Sequence, residues 1–349
     1  MSLAITHNAP CPNTMALACK ANTLITINTL DELKNLPSSD LPFFVLSGGS
    51  NVLLPSTLNA QVLRPNLQTI VTVSENDEQI VLDVGAGVVW HQLVTHCTQN
   101  GWYGLENLAL IPGLAGAAPI QNIGAYGVEI KDCLLGLASF DLMHRRHHYF
   151  DQQDCAFAYR HSIFKDTHKH HLITAIRLAL HKNPQKITAD YGDLHALANT
   201  LAKQDKQPLS PIHIMQAVID IRQNKLPNPA ILPNCGSFFK NPIIPLAQFE
   251  QLQNSYPKLP HYPQMIDNAI THVKLPAGWL IETAGLKGKG VAPILTHHKQ
   301  ALVLTNHAPQ CATQDDILAT QTVIQQGVYD KFGIQLTREP VWVASDGSF

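Results

Sequence analysis

The sequence has little charge and no long apolar run, and both shortages restrict what the protein can be. Only 14% of its 349 residues are Asp, Glu, Lys or Arg, and the formal net charge at pH 7 is −2. A chain so near neutrality has no general attraction to nucleic acid or to a membrane surface. No run of 18 apolar residues is present, and residues 1–15 lack the basic start and apolar core of a signal peptide. We therefore expect neither nucleic acid nor a membrane as a partner.

Cysteine is scarce and scattered, whereas histidine is frequent. The seven cysteines include no CxxC pair, which argues against a disulfide framework or a thiolate zinc site and favours a reducing cytoplasm. The 18 histidines are densest in HRRHHY at 144–149 and HKHH at 168–171. Neither group has the helical HExxH pattern, and both flank predicted strands. Solvated loop charge is the favoured interpretation, so we predict no metal site.

Hydrophobic patterning predicts a series of strands followed by a helix-rich region. Before residue 190, apolar runs predict successive strands, one helix start at Thr29 and one helix within 85–101. This order is typical of an α+β fold rather than a regular βαβ repeat. Residues 1–15 and 258–268 are predicted as loops, and 334–345 as the last strand. Further helices are predicted at 194–204, 211–227, 246–257, 275–286 and 313–333.

The stretch GLENLALIPGLAGAAPIQNIGAYG, residues 104–127, is the most unusual part of the chain. It holds five glycines, two prolines and a single charged residue, Glu106. Gly costs about 1 kcal/mol inside a helix and Pro about 3, so no long helix is expected here. Surface loops are usually polar, and an apolar glycine-rich loop favours backbone packed against a bulky group such as a phosphate-bearing or planar cofactor. A buried crossover between two layers explains the same composition.

Two motifs contain groups suited to binding anions. SGGSNVL at 47–53 follows an apolar strand, and its glycine turn with Ser and Asn donors suits a pyrophosphate. A tight turn without a ligand explains it equally simply. AYRHSIFK at 158–165 places Arg160 and Lys165 in apolar company, where an arginine commonly binds a carboxylate or phosphate. An ordinary surface ion pair is the alternative.

Two further residues are candidates for proton transfer. Ser237 follows a glycine in NCGSFFKNP, 234–242, but the pattern is not GxSxG, so a hydrolase nucleophile is not expected. A proton donor, a substrate ligand and a structural loop serine stay open. Glu339 lies in the predicted last strand, where it suits either acid–base chemistry or edge-strand polarity.

In this order the motifs resemble the UDP-N-acetylenolpyruvoylglucosamine reductases, flavoenzymes that make UDP-N-acetylmuramate for bacterial peptidoglycan. The resemblance runs from residue 13 to about residue 343, and the tyrosine-bearing loop near PHYPQ is similar to a subtype of Gram-negative enteric bacteria. Its motifs are SGGSNVL, GLENLALIPGLAGAAPIQNIGAYGVE, FAYRHSIFK, DYGDL, IRQNKLP, GSFFKNP, PAGWLIE and HKQALVLTN.

The resemblance implies an α+β fold with three parts. An FAD-binding region of the vanillyl-alcohol-oxidase type, which is PCMH-like, would have two subdomains and precede a C-terminal α+β substrate-binding domain. The implied limits are 1–70 for subdomain 1, 71–215 for subdomain 2 and 216–333 for the substrate-binding domain. The C-terminal strand, 334–349, is a candidate addition to subdomain 1. A cytoplasmic monomer is expected.

The resemblance also implies the ligands and the site. FAD would be bound non-covalently, NADPH would be the reductant, and UDP-N-acetylenolpyruvoylglucosamine the substrate. Arg160 and Glu339 would stabilise an enolate, and Ser237 would protonate the carbanion. The implied cofactor-binding residues are Ser47, Gly48, Gly49, Ser50, Asn51, Pro112, Gly113, Gly116, Ala117, Gln121, Asn122, Gly124, Ala125 and Tyr126. The implied contacts with the sugar nucleotide or nicotinamide are Tyr126, Tyr191, Lys225, Asn241, Tyr262 and Gln300.

The sequence departs from the family pattern at two places. Ser47 replaces a glycine, and the usual LExE reads Leu336 to Glu339 with Arg338 before the carboxylate and Pro340 after it. Two other functions are consistent with the fold: another FAD-dependent oxidoreductase with a different substrate, and a binding or scaffold protein without activity. The joint presence of Arg160, Ser237 and Glu339 argues against the second.

Overall fold

The computed structural model describes residues 3–38, 40–266 and 269–349. No helix in these ranges has the length and apolar character that a bilayer crossing requires. The first half contains β1 (Ala4–Pro10), β2 (Lys20–Ile27), β3 (Phe43–Val45), β4 (Val52–Leu53), β5 (Thr57–Pro65), β6 (Ile70–Glu75), β7 (Gln79–Gly85), α1 (Trp90–Gln99), β8 (Gly124–Ala125), β9 (Val128–Glu129), β10 (Leu134–Asp141), β11 (Arg146–Asp151) and β12 (His171–His181). The second half contains α2 (Leu194–Asp205), α3 (Pro211–Lys225), β13 (Asn234–Ser237), β14 (Ile243–Pro245), α4 (Leu246–Ser255), β15 (Tyr262–Ile266), β16 (Ala269–Lys274), α5 (Ala277–Thr283), β17 (Gly290–Val291), β18 (Ile294–Thr296), β19 (Val303–Asn306), α6 (Gln314–Phe332) and β20 (Val341–Trp342).

The first sheet has the strand order β1-β2-β5-β3. Strand β1 pairs antiparallel with β2, whereas β5 pairs parallel with both β2 and β3. The loop predicted for residues 1–15 is wrong over Ala4–Pro10, because that exposed segment completes its backbone hydrogen bonds along the edge of β2. The helix start predicted at Thr29 is confirmed as a short 3₁₀ helix, in which the Glu32 carboxylate accepts from the Thr29 backbone N–H.

The second sheet is antiparallel throughout, with the order β11-β10-β12-β7-β6. Its inner face packs against α1, α2 and α3 in the largest apolar core of the described chain. The helical spacing of Val89, Leu93, Val94 and Cys97 predicts one buried face for α1. Leu93, Val94 and Cys97 are buried, whereas Val89 precedes the helix and is exposed. Helix α3 continues across residue 215, where the sequence places the end of subdomain 2, and Met215, Ala217 and Val218 all enter this core. The domain limits stay a prediction.

The third part packs two small sheets, β13-β19-β18-β17 and β14-β16-β15, against α4, α5 and α6. Thr313 caps α6 with its first-turn Asp316, as predicted. The loop predicted for 258–268 is wrong over Tyr262–Ile266, which pairs with β16. The end of that predicted loop, Asp267–Asn268, lies outside the described residues. Pairing with a neighbouring strand supplies hydrogen bonds that the local composition does not indicate.

The last strand is much shorter than predicted, and the C-terminal segment returns to the first sheet. Only Val341–Trp342 is a strand, which runs parallel to β4. Val343 is fully buried in the core of the first sheet, and the Asn59 backbone N–H donates to the Ser345 carbonyl at 2.6 Å. Pro340 breaks no pairing, because the Glu339 and Val341 N–H groups on either side donate to the Phe238 and Asn51 carbonyls.

The 104–127 stretch runs antiparallel to the segment that leads into α1. The Ala115 N–H donates to the Val88 carbonyl at 2.8 Å, and the Gly116 N–H donates to the Ala86 carbonyl at 3.0 Å. A Cβ on Gly116 would lie 2.5 Å from the Ala86 Cβ, so only glycine permits this approach. The stretch is therefore a packed crossover with short 3₁₀ turns, and the buried Trp90 indole fixes it by donating to the Leu108 carbonyl at 3.0 Å.

Replacing Trp90 by Phe tests this fixation. The substitution retains most of the apolar area but leaves the buried Leu108 carbonyl without its donor, so we expect a loss of about 1–3 kcal/mol in the free energy of unfolding. Urea unfolding measures it. The matched control is Trp102→Phe, since the half-buried Trp102 packs edge-on against His96 and its indole N–H donates to no acceptor among the described residues. Equal losses in both variants would show that the hydrogen bond does not matter.

Candidate active site

A cleft lies between the glycine-rich loops of the first half and β13 of the third part. Both predicted glycine stretches line it, together with residues from the AYRHSIFK loop, the end of β13 and the C-terminal segment. Most predicted site residues meet here. Those that line the cleft are Ser47, Gly48, Gly49, Ser50, Asn51, Pro112, Gly113, Gly116, Ala117, Gln121, Gly124, Arg160, Ser237 and Glu339.

The 47–51 turn and the 112–121 segment are joined by side chains at the floor of the cleft. The Ser50 hydroxyl donates to the Pro112 carbonyl at 3.0 Å, and the Asn51 amide donates to Gln121 Oε1 at 2.5 Å. Gly49 has φ +65°, and a Cβ there would lie 2.2 Å from the Pro12 carbonyl oxygen. The turn therefore requires glycine, and it presents bare backbone to the cleft.

Besides the Nε of Arg160, two buried polar atoms of this cleft make no hydrogen bond in the described chain. The Ser47 hydroxyl and the Arg222 Nε are enclosed and make no hydrogen bond. Unpaired buried donors are costly, so each is suited to an acceptor supplied by a ligand. A hydroxyl beside a glycine turn and a guanidinium in the same elongated cleft fit the phosphates and ring of a dinucleotide cofactor such as FAD.

Arg160 and Glu339 form a buried ion pair in the cleft wall. The Arg160 Nε lies 3.1 Å from Glu339 Oε1, and the two side chains are 20% and 8% exposed. The Nε–H does not point at that oxygen, so the contact is an ion pair rather than a hydrogen bond. Arg160 Nη2 donates to the Gly124 carbonyl at 3.1 Å. These contacts leave Nη1 directed at no acceptor among the described residues, and it remains available to an anion.

Local structure explains how the two residues reach each other. Arg160 has φ +54°, a left-handed conformation that is costly for a residue with a side chain. The Asn122 amide contacts the Ala158 carbonyl at 3.3 Å, and the Ser162 hydroxyl donates to the Ile120 carbonyl at 2.6 Å, so this turn is tied to the 104–127 stretch on both sides. These hydrogen bonds therefore keep Arg160 in its strained backbone conformation.

Ser237 lies at the end of β13, directly beside the segment that carries Glu339. The Glu339 N–H donates to the Phe238 carbonyl and the Lys240 N–H to the Thr337 carbonyl, both at 2.9 Å. Gly236 has φ +76°, which turns the chain where Ser237 enters the cleft. The Ser237 hydroxyl has no hydrogen-bond partner within the described ranges, so it is available to a ligand.

The charges around Glu339 oppose the effect of its burial. Burial raises the pKa of the Glu339 carboxyl, while Arg160, Lys165 and Lys240 each act to lower it. Arg338 takes no part, because it donates to Gln321 Oε1 at 3.1 Å and lies 4.8 Å from the Trp342 ring centre, on the α6 side. The alternation of the extended segment thus directs Glu339, and not Arg338, into the cleft.

Three of the predicted cofactor-binding residues do not line the cleft. The buried Asn122 holds Glu129 Oε2 at 2.8 Å as well as the Arg160 turn. The carbonyl of Tyr126 accepts from Asn107, and its ring meets Tyr191 edge-on with centroids 5.7 Å apart. Ala125 belongs to the short strand β8, which pairs with β9.

The predicted substrate residues are more dispersed, and none lines the cleft itself. Tyr191 and Tyr262 stack with centroids 6.4 Å apart and form an aromatic group at the surface with Tyr126. Burial raises the pKa of Tyr191 to about 12. The remaining three are separate: Lys225 is exposed at the end of α3, the Asn241 amide oxygen accepts from the Ala277 N–H at 3.0 Å, and Gln300 contacts the Leu302 N–H at 3.4 Å.

Sequence reasoning missed the cation Arg222 and the aromatic Tyr159, and it named Lys165 beside Arg160 without giving it a role in the site. Arg222 and Lys165 both line the cleft, and burial lowers the pKa of each. The Tyr159 ring lies between two cations, with Arg160 Cζ at 5.6 Å and Lys274 Nζ at 5.0 Å from its centre. Arg222 stands in the motif IRQNKLP, where only Lys225 had been given a role. The signal that could have found Arg222 is its place on the buried side of α3, near a helix end that is otherwise polar.

Comparison with known proteins agrees with this architecture. A family model described as FAD binding domain matches residues 30–141, and one described as UDP-N-acetylenolpyruvoylglucosamine reductase, C-terminal domain, matches residues 228–343. A crystal structure of the UDP-N-acetylenolpyruvylglucosamine reductase from Thermus caldophilus shares the fold, with a TM-score of 0.64 over 98% of this chain and 99% of that one, at 22% identity. The predicted α+β fold class is thereby confirmed.

Curated relatives extend the similarity to sequence. The UDP-N-acetylenolpyruvoylglucosamine reductase of Psychrobacter sp. (strain PRwf-1) is 53% identical over 97% of this chain and 89% of its own length. That of Bacteroides fragilis (strain YCH46) is 39% identical over 94% of this chain and 96% of its own. With this identity over nearly its whole length, the chain belongs to the UDP-N-acetylenolpyruvoylglucosamine reductases, a family of oxidoreductases with an FAD-binding domain.

Proposed function

We propose that this protein uses NADPH and non-covalently bound FAD to reduce UDP-N-acetylenolpyruvoylglucosamine to UDP-N-acetylmuramate in peptidoglycan synthesis. The observation that supports it most strongly is the meeting of Arg160, Glu339 and the unpartnered Ser237 on one cleft. A buried cation, a carboxylate and a hydroxyl are the groups that reduction of an enolpyruvyl ether needs, because charge develops on a carboxylate and a carbon must then be protonated. We propose a cytoplasmic monomer.

The glycine-lined end of the cleft is the proposed FAD site. Ser47, the backbone of Gly48 and Gly49, and the 112–121 segment would hold the pyrophosphate and ring, with Arg222 as the nearby cation. FAD held by these residues would supply the hydride chemistry of the reaction, with NADPH as the proposed source of electrons. The chain supplies the close backbone approach, the unpaired Ser47 donor and apolar walls that exclude water.

Arg160 is the proposed anchor for the substrate carboxylate. Its Nη1 meets no acceptor among the described residues, and its Nη2 is fixed by the Gly124 carbonyl, so the guanidinium is oriented before substrate binds. As negative charge grows on the substrate carboxylate, a fixed cation stabilises it without reorganising. Glu339 holds the Nε edge of the guanidinium in place, and its negative charge partly offsets the positive charge of Arg160.

Ser237 is the proposed proton donor. A serine hydroxyl is a weak acid, so it requires cations nearby, and the family resemblance suggests Lys225 for this purpose. Lys225 is exposed and outside the cleft lining, whereas Lys165 lines the cleft and acts electrostatically on Glu339 and Arg160. We therefore propose Lys165 as the cation that makes proton transfer from Ser237 favourable.

The two substrates would use one binding site in turn. The aromatic group of Tyr126, Tyr191 and Tyr262 at the surface is suited to stacking on a uracil or nicotinamide ring. Use of a single site by NADPH and the sugar nucleotide implies ping-pong kinetics. Another FAD-dependent reductase of the same fold would need the glycine loops but would give Ser237 no function.

The activity itself is tested with the purified protein. We expect yellow flavin absorbance and rapid NADPH oxidation only when the enolpyruvyl sugar nucleotide is present, with double-reciprocal plots that stay parallel. The same sugar nucleotide without the enolpyruvyl group, UDP-N-acetylglucosamine, is the matched control. If the protein shows flavin absorbance but oxidises NADPH equally fast with either sugar nucleotide, another reductase of the same fold is favoured. A colourless protein that binds no added FAD would contradict both.

Replacing Ser237 by Ala separates the two half-reactions. We expect flavin reduction by NADPH to stay within about 2-fold of the wild type, whereas reoxidation by the enolpyruvyl substrate slows by about 10²–10⁴-fold because the proton donor is lost. Stopped-flow absorbance follows each half-reaction. Ser255→Ala, at the exposed end of α4, is the control and should alter neither. Equal slowing of both half-reactions in Ser237→Ala would rule out proton donation.

Replacing Lys165 by Met tests the charge placed in the cleft. Burial, helped by Lys240 and Arg160 and opposed by Glu339, lowers the pKa of Lys165 to about 8. The unfolded lysine keeps its proton up to about pH 10.4, so the charged form destabilises the fold below pH 8, and this cost disappears as pH rises through 8 toward 10.4. We expect Lys165→Met to be more stable than the wild type at pH 7, with the difference shrinking by pH 10.

Urea unfolding at both pH values, with FAD present, measures this difference. The exposed Lys258→Met is the control and should show no such pH dependence. A Lys165→Met variant that is less stable than the wild type at pH 7 would show that the lysine is favourably paired in the fold.

A further inference from the structure

The two histidine-rich segments meet around Asp141, at one end of the second sheet. In the antiparallel register Asp141 lies opposite His171 on β12 and opposite Arg146 on β11. The loop before β12 brings His168 and His170 to the same corner, where the rings of His170 and His171 have centroids 4.7 Å apart. Two segments that sequence analysis assigned to solvated loops thus form one cluster.

Three side chains of this cluster have the arrangement of metal ligands. One ligating atom from each of Asp141, His170 and His171 lies within 4.8 Å of the other two. His170 Nε2 is 3.9 Å from Asp141 Oδ1, and Asp141 and His171 are buried while His170 is half-buried. The ligand atoms would need to approach one another by roughly 1–1.5 Å to meet at one ion with nitrogen ligands about 2.0 Å away. The half-buried His170 has the freedom to do so.

Neighbouring groups orient these ligands. The Ser139 hydroxyl lies 2.9 Å from His171 Nδ1, which fixes the ring as outer hydrogen bonds do at known metal sites. His144 Nδ1 lies 2.7 Å from Asp141 Oδ2, and the Met143 and His144 N–H groups donate to Oδ1 at 3.0 and 3.1 Å. The carboxylate is therefore held in one orientation.

One positive side chain lies beside the three ligands. The exposed Arg146, with Nε 4.0 Å from Asp141 Oδ2, is the opposing charge and must turn outward.

We propose that Asp141, His170 and His171 bind one transition-metal dication of the zinc class. Two imidazoles and a carboxylate suit Zn²⁺, Ni²⁺ or Cu²⁺, whereas Mg²⁺ and Ca²⁺ prefer oxygen ligands alone. His144 or water completes the coordination. This site is separate from the proposed catalytic centre and does not depend on the proposed function.

The position of His171 gives the ion a structural consequence. His171 also lines the cleft, at the end where Phe44 and the C-terminal Phe349 pack with centroids 6.2 Å apart and Lys169 lies 4.7 Å from the Phe349 ring centre. A metal that joins β10, β12 and the loop before β12 would brace this end of the cleft. Ligand binding to the folded state alone raises the unfolding temperature, so Zn²⁺ should stabilise the protein.

Zinc binding to the tag-free holoprotein, stripped with a chelator and then desalted, tests the proposal. In competition with a chromophoric zinc chelator we expect one tight Zn²⁺ per chain, unaffected by a large excess of Mg²⁺. His170→Gln and the isosteric Asp141→Asn should each weaken binding by at least about 10-fold, since each removes one of three protein ligands. The exposed His195→Gln on α2 is the matched control and should bind as the wild type does.

Zinc K-edge X-ray absorption identifies the ligands directly. We expect two imidazoles among nitrogen and oxygen neighbours at about 2.0 Å. Circular dichroism and flavin absorbance equal to the wild type show that the variants are folded. Only weak binding by several sites, wild-type affinity in His170→Gln or Asp141→Asn, or a spectrum with fewer than two imidazoles would each overturn the proposal.

Discussion

The buried ion pair between Arg160 and Glu339 is the contact on which the arrangement of the cleft depends. It joins the AYRHSIFK loop to the C-terminal segment and places a cation and a carboxylate in a wall that is almost closed to water. Removing two charges from water costs several kcal/mol each, and a close pair repays only part of that cost. The left-handed backbone of Arg160 adds strain. Both costs fall on residues that face the cleft, which is where a functional site concentrates them.

The 104–127 stretch supports that pair from below. It lies against the start of α1 so closely that Gly116 has no room for a side chain, and Trp90 locks its first turn. The Ile120 carbonyl and the Asn122 amide then hold the turn on either side of Arg160. The apolar glycine-rich composition therefore serves two purposes at once. It allows tight backbone packing on one side and leaves bare backbone facing the cleft on the other.

The C-terminal segment connects the third part of the structure to the glycine turn of the first half. Its N–H groups alternate between the carbonyl of Phe238 and that of Asn51, so a single extended chain connects the serine-bearing strand to the glycine turn. Pro340 has no N–H, and it lies between Glu339 and Val341 at a position where this alternation needs no donor. Because the segment pairs with two different neighbours over only a few residues, little of it counts as strand, yet it fixes Glu339 in place.

The sequence by itself determined the fold class, the glycine turns and many of the residues that line the cleft. Those features depend on local chemistry. The spacing of glycines, an arginine among apolar residues and the order of the motifs can all be read from the sequence without knowledge of the tertiary contacts. Helix α6 and its cap at Thr313 were predictable for the same reason.

Only the tertiary structure decided the contacts between distant segments. The exposed strand β1 and strand β15 form because a neighbouring strand offers hydrogen bonds, which no local pattern records. Arg222 lines the cleft because α3 packs into the core of the second sheet, a contact that the local sequence does not record. The histidines of two separate loops meet Asp141 only because the register of β10 with β12 aligns them. Strand register and helix packing are long-range properties, so the sequence alone does not fix them.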